Sequence, residues 1–300
     1  MTRALGDSGV HAILLKGPAL ATWLYPGQPR PYSDVDLLIC DLDRDAAART
    51  LGDLRFVPVA IDVLPHDRPH HARTYVSPDG AAVDLHHTLV GVGAPSEMVW
   101  GVLAAETERL QLADGEVEVL SPAARALVVV LHAAQHGPNV HRPLEDLRRV
   151  LERLSLEEWL AVRQLADQLE AVPAFGAGLR LLSRGRDVAG QLELPETTST
   201  ETLLRSTSAP TMALGFEWLA GTHGFRRRAR LVTRKIVPQP TFMRAWTPLA
   251  RHGRSGLAAA YLWRVVSLGL RAGPAYIAWR KAARAARLRQ DAGSEPDVRQ

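Results

Sequence analysis

Cysteine is almost missing from this 300-residue chain: Cys40 stands alone. That excludes an internal disulfide framework and a cysteine-built zinc cage, and it fits a reducing, cytoplasmic setting. Long apolar runs are missing too. No window approaches the roughly 18 uncharged apolar residues that a membrane-crossing helix needs. The opening MTRALGDSGVHAILLKG has no extended apolar core with a small-residue cleavage site, so it does not read as a signal peptide. Lysine is scarce, with only Lys16, Lys235 and Lys281 against 33 arginines. Acids vanish between Gly221 and Gln290, a stretch that carries 16 Lys or Arg. Neither GxxxxGK[ST] nor GxSxG occurs, which argues against a P-loop kinase and a serine hydrolase.

The hydrophobic content of 46% is enough to bury a substantial core in one large or two modest domains. The net charge of +4 is unevenly divided. Residues 1–220 form an acidic body and residues 221–290 a basic region. Such a division suggests contact with an anionic polymer such as RNA, or with an anionic membrane surface that would give the protein a peripheral location.

The most informative stretch runs from Leu14 to Cys40, LLKGPALATWLYPGQPRPYSDVDLLIC. His11–Leu15 reads as a short buried strand, and Pro18 suits the first turn of a helix over Ala19–Tyr25. Pro26-Gly27 ends that helix, and a proline-rich loop leads into a strand over Val35–Cys40. Asp34 and Asp36 lie two residues apart on this strand and so share a face. Two ionised carboxylates that close repel each other unless a cation lies between them, and a hard cation such as Mg²⁺ takes oxygen ligands. Asp41 and Asp43 repeat the spacing. Asp43 and Asp45 stand where a helix begins, where acids cap N–H groups and oppose the dipole, so this second pair is read as structural.

From His70 to Val90 the pattern is a hairpin, HHARTYVS and AAVDLHHTLV about Pro78-Asp79-Gly80. Ala82, Asp84 and His86 face one way; Val83, Leu85 and His87 face the other. An acid in mid-strand is costly unless solvated or paired, which makes Asp84 a candidate third metal ligand, with His86 beside it near substrate. Nucleotidyl transfer needs carboxylates holding two Mg²⁺ about 4 Å apart. Lys16, Gly17, Arg30 and Ser33 can supply charge, close backbone approach and hydrogen bonds to phosphates.

Beyond residue 120 the chain turns helical. Ser121-Pro122 opens a helix that runs to His136 and stops at Gly137-Pro138. Two more follow at Leu144–Leu154 and Leu156–Leu169 with Ser155 as cap between them, then Phe175–Leu182. Leu194–Pro210, rich in Thr, Ser and Glu, reads as a linker. His132 and His136 have the spacing of zinc-protease helices, but no glutamate lies between them, so they are read as lining a helical interface or flanking a nucleotide. Asp146 is read as structural. Pro238, Pro240, Pro248 and Pro274 are expected to split residues 221–290 into separate basic pieces. One of these carries Arg264 and Arg271 on one face. It is either an ordinary packed helix or a lipid-surface segment anchored by Trp263, Tyr276 and Trp279.

The series LLKGPAL, RPYSDVDLLI and VDLHH resembles the DNA polymerase β-type nucleotidyltransferase superfamily, and within it an uncharacterised bacterial nucleotidyltransferase family. LHAAQHGPNVHRPLEDLRRVL extends that resemblance into the helical part, over most of residues 11–182. The resemblance implies an α/β (α+β) fold with a mixed sheet flanked by helices, followed by a helical domain. It implies an NTP co-substrate and two Mg²⁺ ions held by Asp34, Asp36 and Asp84. Asp84 would also help deprotonate the acceptor, while Lys16, Gly17, Arg30 and Ser33 would contact the triphosphate. The expected division is a catalytic domain over residues 1–115, a helical domain with linker over 116–220 and a basic helical region over 221–300. The acceptor is a hydroxyl or phosphate group that the residues do not identify. Two other readings stand beside this one. The chain is a catalytically silent member that binds nucleic acid or a membrane surface, or it is a toxin/antitoxin-type transferase that modifies tRNA or protein.

Overall fold

The computed structural model describes residues 1–59, 71–112 and 115–294. His70, at the start of the expected hairpin, and residues 295–300 of the basic region lie outside the described residues. The chain divides into two compact units: residues 1–59 with 71–197, and a second that includes everything described after Thr197.

The first unit is built on a seven-stranded mixed sheet. Its strands are β1 (Ala12–Leu14), β2 (Asp34–Ile39), β3 (Val57–Pro58), β4 (Ala72–Val76), β5 (Ala82–His86), β6 (Thr107–Leu112) and β7 (Gly115–Leu120), in the order β3-β4-β5-β2-β1-β7-β6. β2 pairs antiparallel with β1 and parallel with β5. The alternation of side chains along β1 and β2 serves two cores at once. Ile13, Leu15 and Leu38 point into one, while Leu14, Leu37 and Ile39 point into the other. Helices α1 (Thr2–Asp7) and α3 (Arg44–Asp53) supply Leu5, Ala47 and Leu51 to the second core. α2 (Pro18–Leu24), between them in sequence, supplies Leu20, Trp23 and Leu24 to the first.

The expected pattern of short elements holds in most places. Gly17 sits at φ +61°, ψ −120°, a region that a side chain strains to enter, and Pro18 then opens α2. Gly80 at φ +88° closes the β4–β5 hairpin. Asp43 occupies the N-cap position of α3, but no side-chain hydrogen bond caps that helix. Asp41 pairs instead with Arg44 at 2.9 Å.

The first core continues into the helices α4 (Ser96–Leu103), α5 (Pro122–His136), α6 (His141–Arg153), α7 (Leu156–Gln168), α8 (Val172–Leu179) and α9 (Ser183–Gln191). α5 is the axis of this layer, capped by Ser121 and stopped by Gly137 at φ +71°. Its run Leu127–Leu131 is buried without interruption, as a helix surrounded by neighbours requires. The Ser155–Glu158 capping box starts α7.

The second unit is helical: α10 (Thr200–Ser206), α11 (Thr211–Gly221), α12 (Phe225–Ile236), α13 (Pro240–Trp246) and α14 (Gly253–Ser294). Two expectations are corrected here. The stretch read as a linker contains α10, because Ser199 caps it, Glu201 and Arg205 pair one turn apart, and Leu204 is buried. Pro274 does not divide α14, which continues through it for 42 residues. Leu270 and Pro274 are both exposed, so water can satisfy the carbonyl that proline leaves unbonded.

Helix α8 packs tightly on α5 through Gly178. A Cβ added at Gly178 would lie 2.4 Å from the Val130 carbonyl oxygen. Replacing Gly178 by alanine is therefore expected to force α8 away from α5 and cost roughly 1–3 kcal/mol. Urea denaturation should show a lower midpoint with the slope retained.

Candidate active site

The parallel register of β2 and β5 decides which side chains meet. Asp34 stands opposite Ala82, Asp36 opposite Asp84, and Leu38 opposite His86. Asp36, Asp84 and His86 share the sheet face that looks toward α5, and each offers one ligand atom within 4.8 Å of the others. Asp34 lies at the half-buried start of β2, outside that group, with the Ser33 hydroxyl 3.5 Å from its Oδ1.

Asp36 is the centre of the cluster and is only 4% exposed. The Lys16 ammonium lies 2.7 Å from its Oδ1, and His86 Nε2 lies 3.0 Å from the same oxygen. Burial opposes ionisation of this carboxyl. The hydrogen bond with His86 and the positive charge of Lys16 outweigh burial and hold its pKa down to about 2. Asp84 accepts a 2.5 Å hydrogen bond from the Thr74 hydroxyl on β4, directly opposite it in the hairpin. Thr74 is missing from the residues expected at the site, although counting outward from the Pro78-Asp79-Gly80 turn places it there.

His86 Nδ1 is buried and has no hydrogen-bond partner among the described residues. The nitrogen that faces Asp36 is Nε2, and the cluster as a whole brings two carboxylates and one imidazole within 4.8 Å of one another, a donor set that a divalent cation satisfies: the carboxylates suit Mg²⁺, and the imidazole also admits Mn²⁺ or Zn²⁺. The residues present therefore fit a metal.

A small pocket adjoins the cluster, with Lys16 and His86 on one side and Val128, Leu131, His132 and Gln135 of α5 on the other. His132 and His136 stack edge to face at 4.6 Å. Burial first, then the charges of Lys16 and His136, push the His132 pKa well below the usual imidazole range, so this ring is neutral.

Arg30 is not beside the acids of β2. Its guanidinium makes a two-pronged ion pair with Asp146 of α6, at 2.9 and 2.6 Å. The Tyr25 hydroxyl donates to the same carboxylate at 2.6 Å. Burial works against charge on Arg30, but the Asp146 hydrogen bond and attraction raise its pKa nonetheless. Burial and the hydrogen bond to Asp146 likewise raise that of Tyr25. Arg149, also on α6, lies 3.9 Å over the Tyr25 ring and donates to the Leu24 carbonyl and the Gln28 side chain. The loop that delivers Asp34 and Asp36 is thus gripped from α6 at its start and at Arg30. Asp146 is structural as expected, and its partners are Tyr25 and Arg30.

The profile of a family described as "Uncharacterised nucleotidyltransferase" matches residues 1–184. The structure of the antibiotic-resistance factor ANT(2'')-Ia is similar at 16% identity and TM-score 0.38, covering 56% of this chain and 88% of that one. An antigenic nucleotidyltransferase-like protein from Paracoccidioides brasiliensis is similar at 16% identity and TM-score 0.35, covering 65% and 90%. No curated protein sequence matches significantly. The chain belongs to the uncharacterised nucleotidyltransferase family, and its activity is of the nucleotidyltransferase class.

Removing the carboxylate of Asp146 leaves the Arg30 charge buried and unpaired. Asp146→Ala is therefore expected to cost about 3–5 kcal/mol. Urea denaturation of the substituted protein measures the loss, which should far exceed that of the surface substitution Glu152→Ala.

Proposed function

We propose that this member of the family transfers a nucleoside monophosphate from an NTP to a hydroxyl or phosphate acceptor, with release of pyrophosphate. The observation that carries the proposal is the β2–β5 register, which sets Asp36 against Asp84 with His86 and Lys16 closing on the same oxygen. Asp34, Asp36 and Asp84 would hold Mg²⁺, two ions being the number that such transfer uses. When bound, Mg²⁺ would supply positive charge to the phosphoryl oxygens and acidify the acceptor group.

In the proposed reaction the acceptor oxygen attacks the α-phosphorus, the bond from that phosphorus to the bridging oxygen breaks, and pyrophosphate carries away the electron pair. Asp84 receives the acceptor proton, and Thr74 holds that carboxylate in place. Lys16 has two roles. Without nucleotide it neutralises Asp36; with nucleotide its ammonium is the cation closest to the acids that can turn to a phosphate. Gly17 permits close backbone approach, and Ser33 offers a hydroxyl from the loop. The Arg30 guanidinium would have to leave Asp146 to contact the triphosphate, so its support is more simply exerted through the loop it anchors. We take residues 1–115 as the catalytic part, 116–220 as a helical part with its linker, and 221–300 as a basic region directed to an anionic partner.

The proposal is tested by incubating the protein with Mg²⁺, each α-labelled NTP and a panel of hydroxyl and phosphate acceptors. Label should pass to one acceptor, and Asp34→Asn/Asp36→Asn should lower the rate by more than about a hundredfold. Equal transfer by the two proteins would overturn the assignment.

A further inference from the structure

The helix α14 is amphipathic in an unusual sense. On the side turned into its own unit the buried residues Ala260, Arg264, Ser267 and Ala275 are small or polar, with Leu257, Tyr261 and Trp279 packed half-buried beside them. Arg264 is held there by two donations to the Lys235 carbonyl, at 3.1 and 2.9 Å, and lies 5.1 Å from the Phe242 ring and 5.2 Å from the Trp246 ring. It is therefore not a charge on an outer face, as its one-heptad spacing from Arg271 suggested.

The outer side is apolar. Leu262, Val266, Leu270 and Ile277 recur at helical spacing along one stripe, with Leu262 68% and Leu270 74% exposed. Trp263 and Tyr276 flank the stripe and are also exposed. At 1.5 Å per residue it is about 22 Å long. At its C-terminal end the same side changes to Arg280, Lys281 and Arg284, all exposed. In the same unit, Phe225 is 85% exposed and is followed at once by Arg226, Arg227 and Arg228.

We propose that α14 lies in the plane of an anionic lipid surface, its apolar stripe in the headgroup–acyl boundary and its basic end on lipid phosphates. No helix among the described residues is long and apolar enough to cross a membrane, so the helix lies along the surface. Three observations favour lipid over other occupants. An RNA ligand would use the arginines and rings but leave Leu262, Val266, Leu270 and Ile277 without a partner. A second copy would bring like charges together, because no acid occurs between Gly221 and Gln290 to complement them. An anionic bilayer meets the aliphatic stripe, the flanking Trp and Tyr, and the cations together.

The test is co-sedimentation of the full chain with phosphatidylcholine vesicles, with and without phosphatidylserine. The wild-type protein should pellet with the phosphatidylserine vesicles and only weakly with the others. Because Val266 and Leu270 are exposed, Val266→Asp/Leu270→Asp should fold normally by circular dichroism yet bind about tenfold more weakly or worse. Arg280→Gln/Lys281→Gln/Arg284→Gln should weaken binding and flatten its dependence on salt. The proposal fails if wild type ignores both vesicles, or if the aspartate pair binds as tightly as wild type. It fails equally if RNA is bound in place of vesicles, or if wild type is a dimer by light scattering that the aspartate pair splits.

Discussion

One buried carboxylate sets the terms for the first unit. Asp36 is ionised at the first buried position of its strand, and a buried charge without a partner is not tolerated. Each feature around it supplies that compensation. The left-handed backbone at Gly17 turns the chain so that Lys16 reaches Asp36, and the parallel pairing with β5 brings His86 to the same oxygen. The same pairing brings Asp84 close, a second acid that adds to the negative charge and turns the requirement for a cation into an opening for a metal. Lys16 already meets part of that requirement. A divalent ion at this place would compete with it, and the displaced ammonium would then be the charge nearest an incoming phosphate.

The second constraint is mechanical. The loop Tyr25–Ser33 carries three prolines and a glycine and has no sheet pairing of its own. Asp146 and Arg149 hold it from α6 through Tyr25, Arg30, Leu24 and Gln28. The helical layer is thereby part of the site without lending a ligand to it. The neutral His132 on α5 is its one titratable contribution to the pocket wall, and it adds no charge beside Lys16.

The local features were legible in the residues. A proline after a glycine starts α2, Pro-Asp-Gly closes the hairpin, Ser before Pro caps α5, and period-two alternation puts Asp84 with His86. Thr74 was readable by the same counting from the turn. The Arg30–Asp146 pair was not, because 116 residues separate its members and neither carries a local mark of the other. Arg30 therefore reads as a phosphate ligand in sequence, while in the fold its guanidinium pairs with Asp146. The same reasoning explains the errors in the second unit. Serine and threonine are abundant in linkers, yet Ser199 caps a helix; proline breaks helices, yet Pro274 sits where water replaces the lost bond. Arg264 reads as surface charge, while two rings and a backbone carbonyl bury it.

Composition and structure give the second unit a different physics. Its charge is of one sign over residues 221–290 and its longest helix turns a stripe of leucines and valines outward, whereas the first unit gathers most of its leucines and valines into two large cores. In the first unit, the function proposed above requires Asp36, Asp84 and His86 to hold a divalent cation in competition with Lys16. Titration of Mn²⁺ into the protein, followed by loss of the free-ion electron paramagnetic resonance signal, tests this without any substrate. Wild type should bind Mn²⁺, Asp36→Asn and Asp84→Asn should each bind at least about tenfold more weakly, and Lys16→Met should bind more tightly. Equal affinity across the four proteins, or tighter binding when either acid is removed, would contradict it.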